Sequence, residues 1–189
     1  MQQHAFDIFL KGEVVDLAVL TSDIVDSSNW YRWFNDASNL ENMQKHYFPN
    51  TKSMQHKLYR DEIEGSVKKL QLGIVSKKDN VLIGTISLNN IDYISRKCEI
   101  SGFIGEKKYQ SMKPFLEANK LIIRHAFNEL NLHRIYGGSL SQDVINIYCR
   151  LLGFKSEGVL EQDVFKGGEY RDVFNIGLLK HNCTFLVEN

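Results

Sequence analysis

The chain has 189 residues, enough for one domain to bury a core of ordinary size and too few for two comfortable ones. Its 43% hydrophobic and 24% charged residues are those of a globular protein rather than a disordered or fibrous one. Lysine plus arginine equals aspartate plus glutamate at 23 each, so no net positive field exists to hold a polyanion, and no nucleic-acid partner is expected.

Residues 6–10 and 14–20 are apolar runs flanking Lys11-Gly12-Glu13, a pattern that predicts a β-hairpin. Trp30, Trp33 and Phe34 recur at helical spacing and predict a helix over 26–35, followed by an irregular segment at 39–51 and a polar helix over 53–65. Residues 70–75 and 81–88 are rich in β-branched side chains and joined by the polar Lys77-Lys78-Asp79-Asn80, which predicts a second hairpin. A strand at 98–104 leads through Gly105 and Glu106-Lys107-Lys108 into a loop ending at Pro114. A long helix over 114–130 carries Phe115, Ala118, Ile122, Ala126 and Leu130 on one stripe. A short strand at 134–139, a helix at 142–152 stopped by Gly153, and a hairpin of 155–165 with 170–179 over Gly167-Gly168 complete the order. No repeat, linker or low-complexity tract interrupts it, so residues 1–189 are expected to form a single α/β domain.

Cys98, Cys149 and Cys183 are odd in number and lack paired spacing, which fits neither a disulfide framework nor a zinc site, and no metal is expected. No run approaches the length of a membrane span, and residues 1–11 lack the basic start and long apolar stretch of a signal peptide. A cytoplasmic location, with no membrane partner, is the expectation.

The run Phe127-Asn128-Glu129-Leu130-Asn131-Leu132-His133-Arg134-Ile135 precedes Ile147-Tyr148 and Leu152-Gly153-Phe154. Together with Ile83-Gly84, Glu99-Ile100 and the terminal residues 164–173, it resembles the GNAT N-acetyltransferases, above all their ribosomal-protein-acetyltransferase-like branch. The resemblance spans nearly the whole chain. It implies a mixed, twisted sheet of about seven strands with helices on both faces, whose two middle strands splay so that the pantetheine arm of acyl-CoA pairs with strand backbone. It also implies acetyl-CoA as the cofactor and direct attack of an amine on the thioester.

In that family the loop before the long helix presents amides to the CoA pyrophosphate through a Gln/Arg-x-x-Gly-x-Gly/Ala pattern. Here the stretch reads Gln110-Ser111-Met112-Lys113-Pro114-Phe115, so Gln110 fits while Lys113 and Phe115 occupy the small positions. Bulk there narrows the approach of phosphate to the main chain, and Lys107, Lys108 and Lys113 offer point charges instead. The expected cofactor site is Phe103, Ile104, Gln110, Ser111, Met112, Lys113 and Phe115, with Ser141 where relatives often carry asparagine.

Tyr148 matches the family tyrosine that protonates the departing thiolate, and Glu99 matches a strand carboxylate that takes the proton of the acceptor ammonium. His125 and His133 are weaker base candidates, and Cys149 reads as a small buried hydrophobe rather than an acyl carrier. Trp33, Tyr47 and Phe48 are the expected acceptor contacts. Trp33-Phe34-Asn35-Asp36 is similar to a stretch in relatives acting on nucleotide-linked amino sugars. The expected partner is therefore a small-molecule amine, an amino sugar ahead of a protein N-terminus, a polyamine or an aminoglycoside. A non-catalytic binding module on the same fold is the alternative, and a homodimer is left open.

Overall fold

The computed structural model describes residues 6–44 and 47–186. Eight strands form one sheet in the order β1-β2-β3-β4-β5-β6-β8-β7, one more than the resemblance implied. They are β1 Ile8–Leu10, β2 Val15–Val19, β3 Leu70–Ser76, β4 Val81–Asp92, β5 Lys97–Ile104, β6 Arg134–Ser139, β7 Lys155–Lys166 and β8 Glu169–Leu179. The short edge strand β1 pairs with β2 in the hairpin over Lys11-Gly12-Glu13 that the flanking apolar runs predict. Every pairing is antiparallel except that of β5 with β6.

The N-terminal helical segment is more broken than its aromatic periodicity predicts. In place of one helix over 26–35 there are α1 Ser22–Ser27 and α2 Trp30–Trp33. Ser28 separates them in an extended conformation, its hydroxyl donating to the Ile24 carbonyl and accepting from the Trp30 amide. A serine that bonds its own backbone in this way competes with the helical ladder. The segment expected to be irregular begins inside a short helix, α3 Ala37–Leu40, capped by the Asp36 carboxylate on the Ser38 amide. Next, α4 Lys52–Leu58 runs into a π-turn at Tyr59–Ile63 and stops before Gly65, whose φ of 66° suits glycine.

Helices cover both faces of the sheet. On one face α5 Met112–Asn128 buries Ala118, Ile122 and Ala126 against Leu17, Ile74, Ile86, Leu88 and Ile100. Leu130, placed on that stripe by the sequence, lies beyond the helix end. Beside α5 lies α6 Gln142–Leu152, which ends on Gly153 at φ 76°, with the amides of Gly153 and Phe154 returning to the Tyr148 carbonyl. On the other face Ala18, Val75 and Leu82 meet Ile24, Trp30, Trp33 and Phe34. Successive β2 residues, Leu17 and Ala18, thus serve opposite cores, as the period of two requires.

One polar contact ties the sheet edge to α5. Glu117 accepts the amide of Glu13 through Oε1 at 2.6 Å and those of Val14 and Val15 through Oε2 at 2.8 Å each. Glu117→Ala leaves these amides without their acceptor and should lower stability by about 1–3 kcal/mol, read from urea denaturation midpoints.

Candidate active site

The sheet forks in its middle. Strands β5 and β6 pair in parallel only at Lys97 with Arg134, Cys98 with Ile135 and Glu99 with Tyr136. Beyond that point β5 stays with β4 as far as Gly84 opposite Ile104, while β6 stays with β8 to Ser139 opposite Phe174. The facing edges of residues 100–104 and 137–139 are thereby left without a ladder between them, an opening whose backbone groups can pair with an extended ligand. A Cβ on Gly137 would stand 3.3 Å from the Ile100 carbonyl oxygen, so bare backbone lines the start of this opening.

The expected cofactor loop closes the far end of β5. Gln110 donates through Nε2 to the Ile104 carbonyl and to Asn39 Oδ1, both at 3.0 Å. Ser111 is the N-cap of α5 but makes no side-chain cap bond, so the amides of Ser111, Met112 and Lys113 form an uncapped donor end, and Pro114 in the first turn supplies none. Met112 and Lys113 are exposed. Lys107 is held by Asp36 at 2.9 Å, and the Ser38 hydroxyl, followed by Lys107, lowers the Asp36 carboxyl to about 2. Lys108 sits 3.8 Å from Asp79 and over the Tyr109 ring. Among the three lysines proposed as point charges, Lys113 makes no ion pair within the described residues. Ser141 spends its hydroxyl as the N-cap of α6, accepting from the Val144 amide at 3.4 Å.

Tyr148 lies inside the core, 6% exposed, with the rings of Phe115 and Phe154 edge-on to it at 5.7 and 5.2 Å. Its hydroxyl donates to Asn119 Oδ1 at 3.0 Å, and Asn119 Nδ2 donates to the Phe115 carbonyl at 2.8 Å. Burial pushes the phenol well above its usual range, so it stays protonated. Phe115, in the position where a small residue was anticipated, is thus a packing partner of Tyr148. The sequence reading missed Asn119, although an asparagine on the apolar stripe between Phe115 and Ile122 was a legible signal; the structure buries it to 1% exposure.

Glu99 projects on the opposite face at the fork. It is half-buried, accepts from Asn90 Nδ2 at 3.0 Å, and neighbours Tyr136 across the parallel ladder. Burial, then the Glu99 charge, raises the Tyr136 phenol above its ordinary value. The arginines that could have neutralised Glu99 are engaged elsewhere, Arg96 with Asn131 and Arg134 with Glu157. Nearby, the amides of Gln44 and Asn175 converge above Gly138, where a Cβ would meet both at about 3 Å. Lys166 ties this region to the terminal hairpin by donating to the Leu40 and Met43 carbonyls.

Trp33, expected among the acceptor contacts, is largely enclosed. It is 4% exposed, packs edge-on to Phe103 at 6.0 Å, and donates Nε1 to Glu106 Oε1 at 2.9 Å. A ring enclosed in this way fills a core, and Phe103 is drawn into the same cluster. Tyr47 and Phe48 remain exposed, Phe48 at 80%, with the Tyr47 hydroxyl donating to the Gln44 carbonyl. His125 is on α5 against Phe9, with burial lowering its pKa, and is remote in sequence and contact from Glu99. Burial raises the thiols of Cys149 and Cys183, and that of Cys98 to about 12, which leaves little thiolate at neutral pH.

Residues 16–143 match the acetyltransferase (GNAT) domain. The chain belongs to the GNAT acetyltransferase family. This GNAT chain is 31% identical over 115 residues to the probable N-acetyltransferase YjcK of Bacillus subtilis, covering 60% of this chain and 63% of that protein. It is 30% identical over 103 residues to the putative ribosomal N-acetyltransferase YdaF of the same organism, covering 54% and 56%. The chain thus spans less than two thirds of the length of these curated relatives. Among solved structures, a spermidine N-acetyltransferase from Vibrio cholerae in complex with CoA and spermine shares the fold, with a TM-score of 0.81 at 20% identity over 90% of this chain and 98% of that one.

The Asn119–Tyr148 pair can be weighed separately from catalysis. Asn119→Leu strands the Tyr148 hydroxyl in the core and should cost about 1–3 kcal/mol of stability, whereas adding Tyr148→Phe should recover most of that loss. Chemical denaturation of the three variants against the parent checks it.

Proposed function

We propose that this chain transfers an acyl group, acetyl foremost, from acyl-CoA to a small primary amine. The observation that carries the reading is the fork between β5 and β6, with Glu99 at its apex and the uncapped end of α5 beyond its mouth. The residues present fit the cofactor: unpaired strand backbone suits the amide-bearing pantetheine arm, and the amides of Ser111, Met112 and Lys113 suit a diphosphate. When bound, the group supplies an activated thioester. Phe103 and Ile104 border the arm from β5, and Gln110 and Ser141 order the two helix starts.

Glu99 takes the ammonium proton directly or through water, since only the free amine has the lone pair that attacks a carbonyl carbon. Tyr148 carries a proton that a leaving thiolate can accept, and to give it the hydroxyl has to leave Asn119. The high thiol pKa values of the cysteines support direct transfer without an acyl-cysteine stage.

A polyamine acceptor draws support from the spermidine N-acetyltransferase that shares the fold. A nucleotide-linked amino sugar keeps Tyr47 and Phe48 as exposed rings but loses Trp33 to the core. The putative ribosomal relative supports the ribosomal-type branch and a peptide N-terminus as the remaining alternative. Acyl-CoA use favours a cytoplasmic location, and among the described residues no helix is long and apolar enough to cross a membrane.

Acetyl-CoA should raise the melting temperature, and thiol release should appear with spermidine, an amino-sugar nucleotide or a short peptide; silence with all three amines overturns the reading. Glu99→Gln should lower kcat by about 10²- to 10⁴-fold while keeping the acetyl-CoA thermal shift. Tyr148→Phe separates two roles: lost turnover at an unchanged thermal shift reports an acid, and lost stability alone reports core packing.

A further inference from the structure

Strand β4 runs four residues past the 81–88 segment marked by its apolar pattern, and its ladder with β5 is irregular there. Asn89 stands opposite Glu99, yet the next pair is Asp92 with Lys97. Asn90 and Ile91 therefore share the place opposite the single residue Cys98, which is a β-bulge. Asn90 adopts φ 52°, a left-handed conformation that asparagine tolerates better than most residues. The Ile91 amide is held from outside the β4–β5 pair by donating to the Lys68 carbonyl at 2.9 Å.

The extra residue inverts the alternation of side chains. Leu88 lies in the α5-side core, so strict period-two geometry would send residue 90 into that core as well. Instead Ile91 is buried there and Asn90 is exposed on the side of Glu99. From that position its Nδ2 donates to Glu99 Oε2 at 3.0 Å. A glutamate on a strand face has three rotatable bonds, and one fixed oxygen removes much of that freedom. An amide does this without cancelling the negative charge, as Arg96 or Arg134 would have done had they not been committed to Asn131 and Glu157.

We infer that Asn90 is a positioning residue: the β4 bulge aims its amide at one oxygen of Glu99, leaving the other oriented for the acceptor amine. The inference rests on Glu99 acting as the base in the proposed reaction. It adds a residue that no sequence motif marks, whose amide also hydrogen-bonds the Tyr136 phenol beside Glu99 and so orders both side chains of the last shared pair.

Asn90→Gly is the decisive variant, because glycine adopts the left-handed backbone without penalty and removes only the side chain. The full chain, Asn90→Gly, Glu99→Gln and the double variant are compared by steady-state thiol release with acetyl-CoA and whichever amine of the panel is turned over fastest. Asn90→Gly should lower kcat by about tenfold, on the scale of one oriented hydrogen bond, with the acetyl-CoA KM and the melting temperature unchanged. In the Glu99→Gln background the same change should cost nothing further. An unchanged kcat for Asn90→Gly, or losses that multiply in the double variant, overturns the positioning role. Full activity of Glu99→Gln overturns the base assignment itself.

Discussion

Two strands at the centre of the sheet touch for three residue pairs and then part, because each is more firmly committed to its other neighbour. Strand β5 is paired to β4 up to Ile104, and β6 is paired to β8 along its whole length. With twist accumulating across the sheet, two strands so anchored can stay together only near their parallel starts. The side chains at the last shared pair, Glu99 and Tyr136, consequently stand at the edge of an opening without belonging to any loop. Groups mounted on strands in this way are positioned more tightly than loop residues.

Helix α5 links that opening to the rest of the protein. Its middle is anchored by Ala118, Ile122 and Ala126, and its flank holds the β1–β2 turn through Glu117. Its front turn presents amides with no side-chain cap. Phe115 and Asn119, one turn apart, face inward and secure Tyr148 from two directions, by ring contact and by hydrogen bond. Of the two bulky residues at small positions in the first turn, Phe115 is turned against the core and Lys113 stays exposed, which reconciles an open donor end with a large aromatic side chain beside it.

Much of the architecture was legible because its signals are local. The stripe along α5, the Gly153 stop after α6 and the Gly167-Gly168 hairpin each follow from periodicity or from a residue that tolerates positive φ. The N-terminal helices were misread where a serine hydroxyl intercepted the backbone ladder at Ser28, an outcome that spacing of Trp30 and Trp33 could not reveal. For the candidate site, residue types at Tyr148 and Glu99 were identified from the resemblance, but their surroundings were not. Asn119 is 29 residues from Tyr148, and Asn90 reaches Glu99 only because a bulge turns it outward.

By itself the sequence determined the strands and the two long helices beyond the N-terminal helical segment, which of their faces are apolar, and the family to which the chain belongs, since each depends on neighbours within a few positions or on a shared motif. Only the tertiary structure decided at which pair β5 and β6 part, that Trp33 is enclosed while Phe48 is bare, and that Phe115 packs on Tyr148. Those outcomes are set by competition among long-range pairings for the same backbone and the same space, and no short stretch of chain contains both competitors.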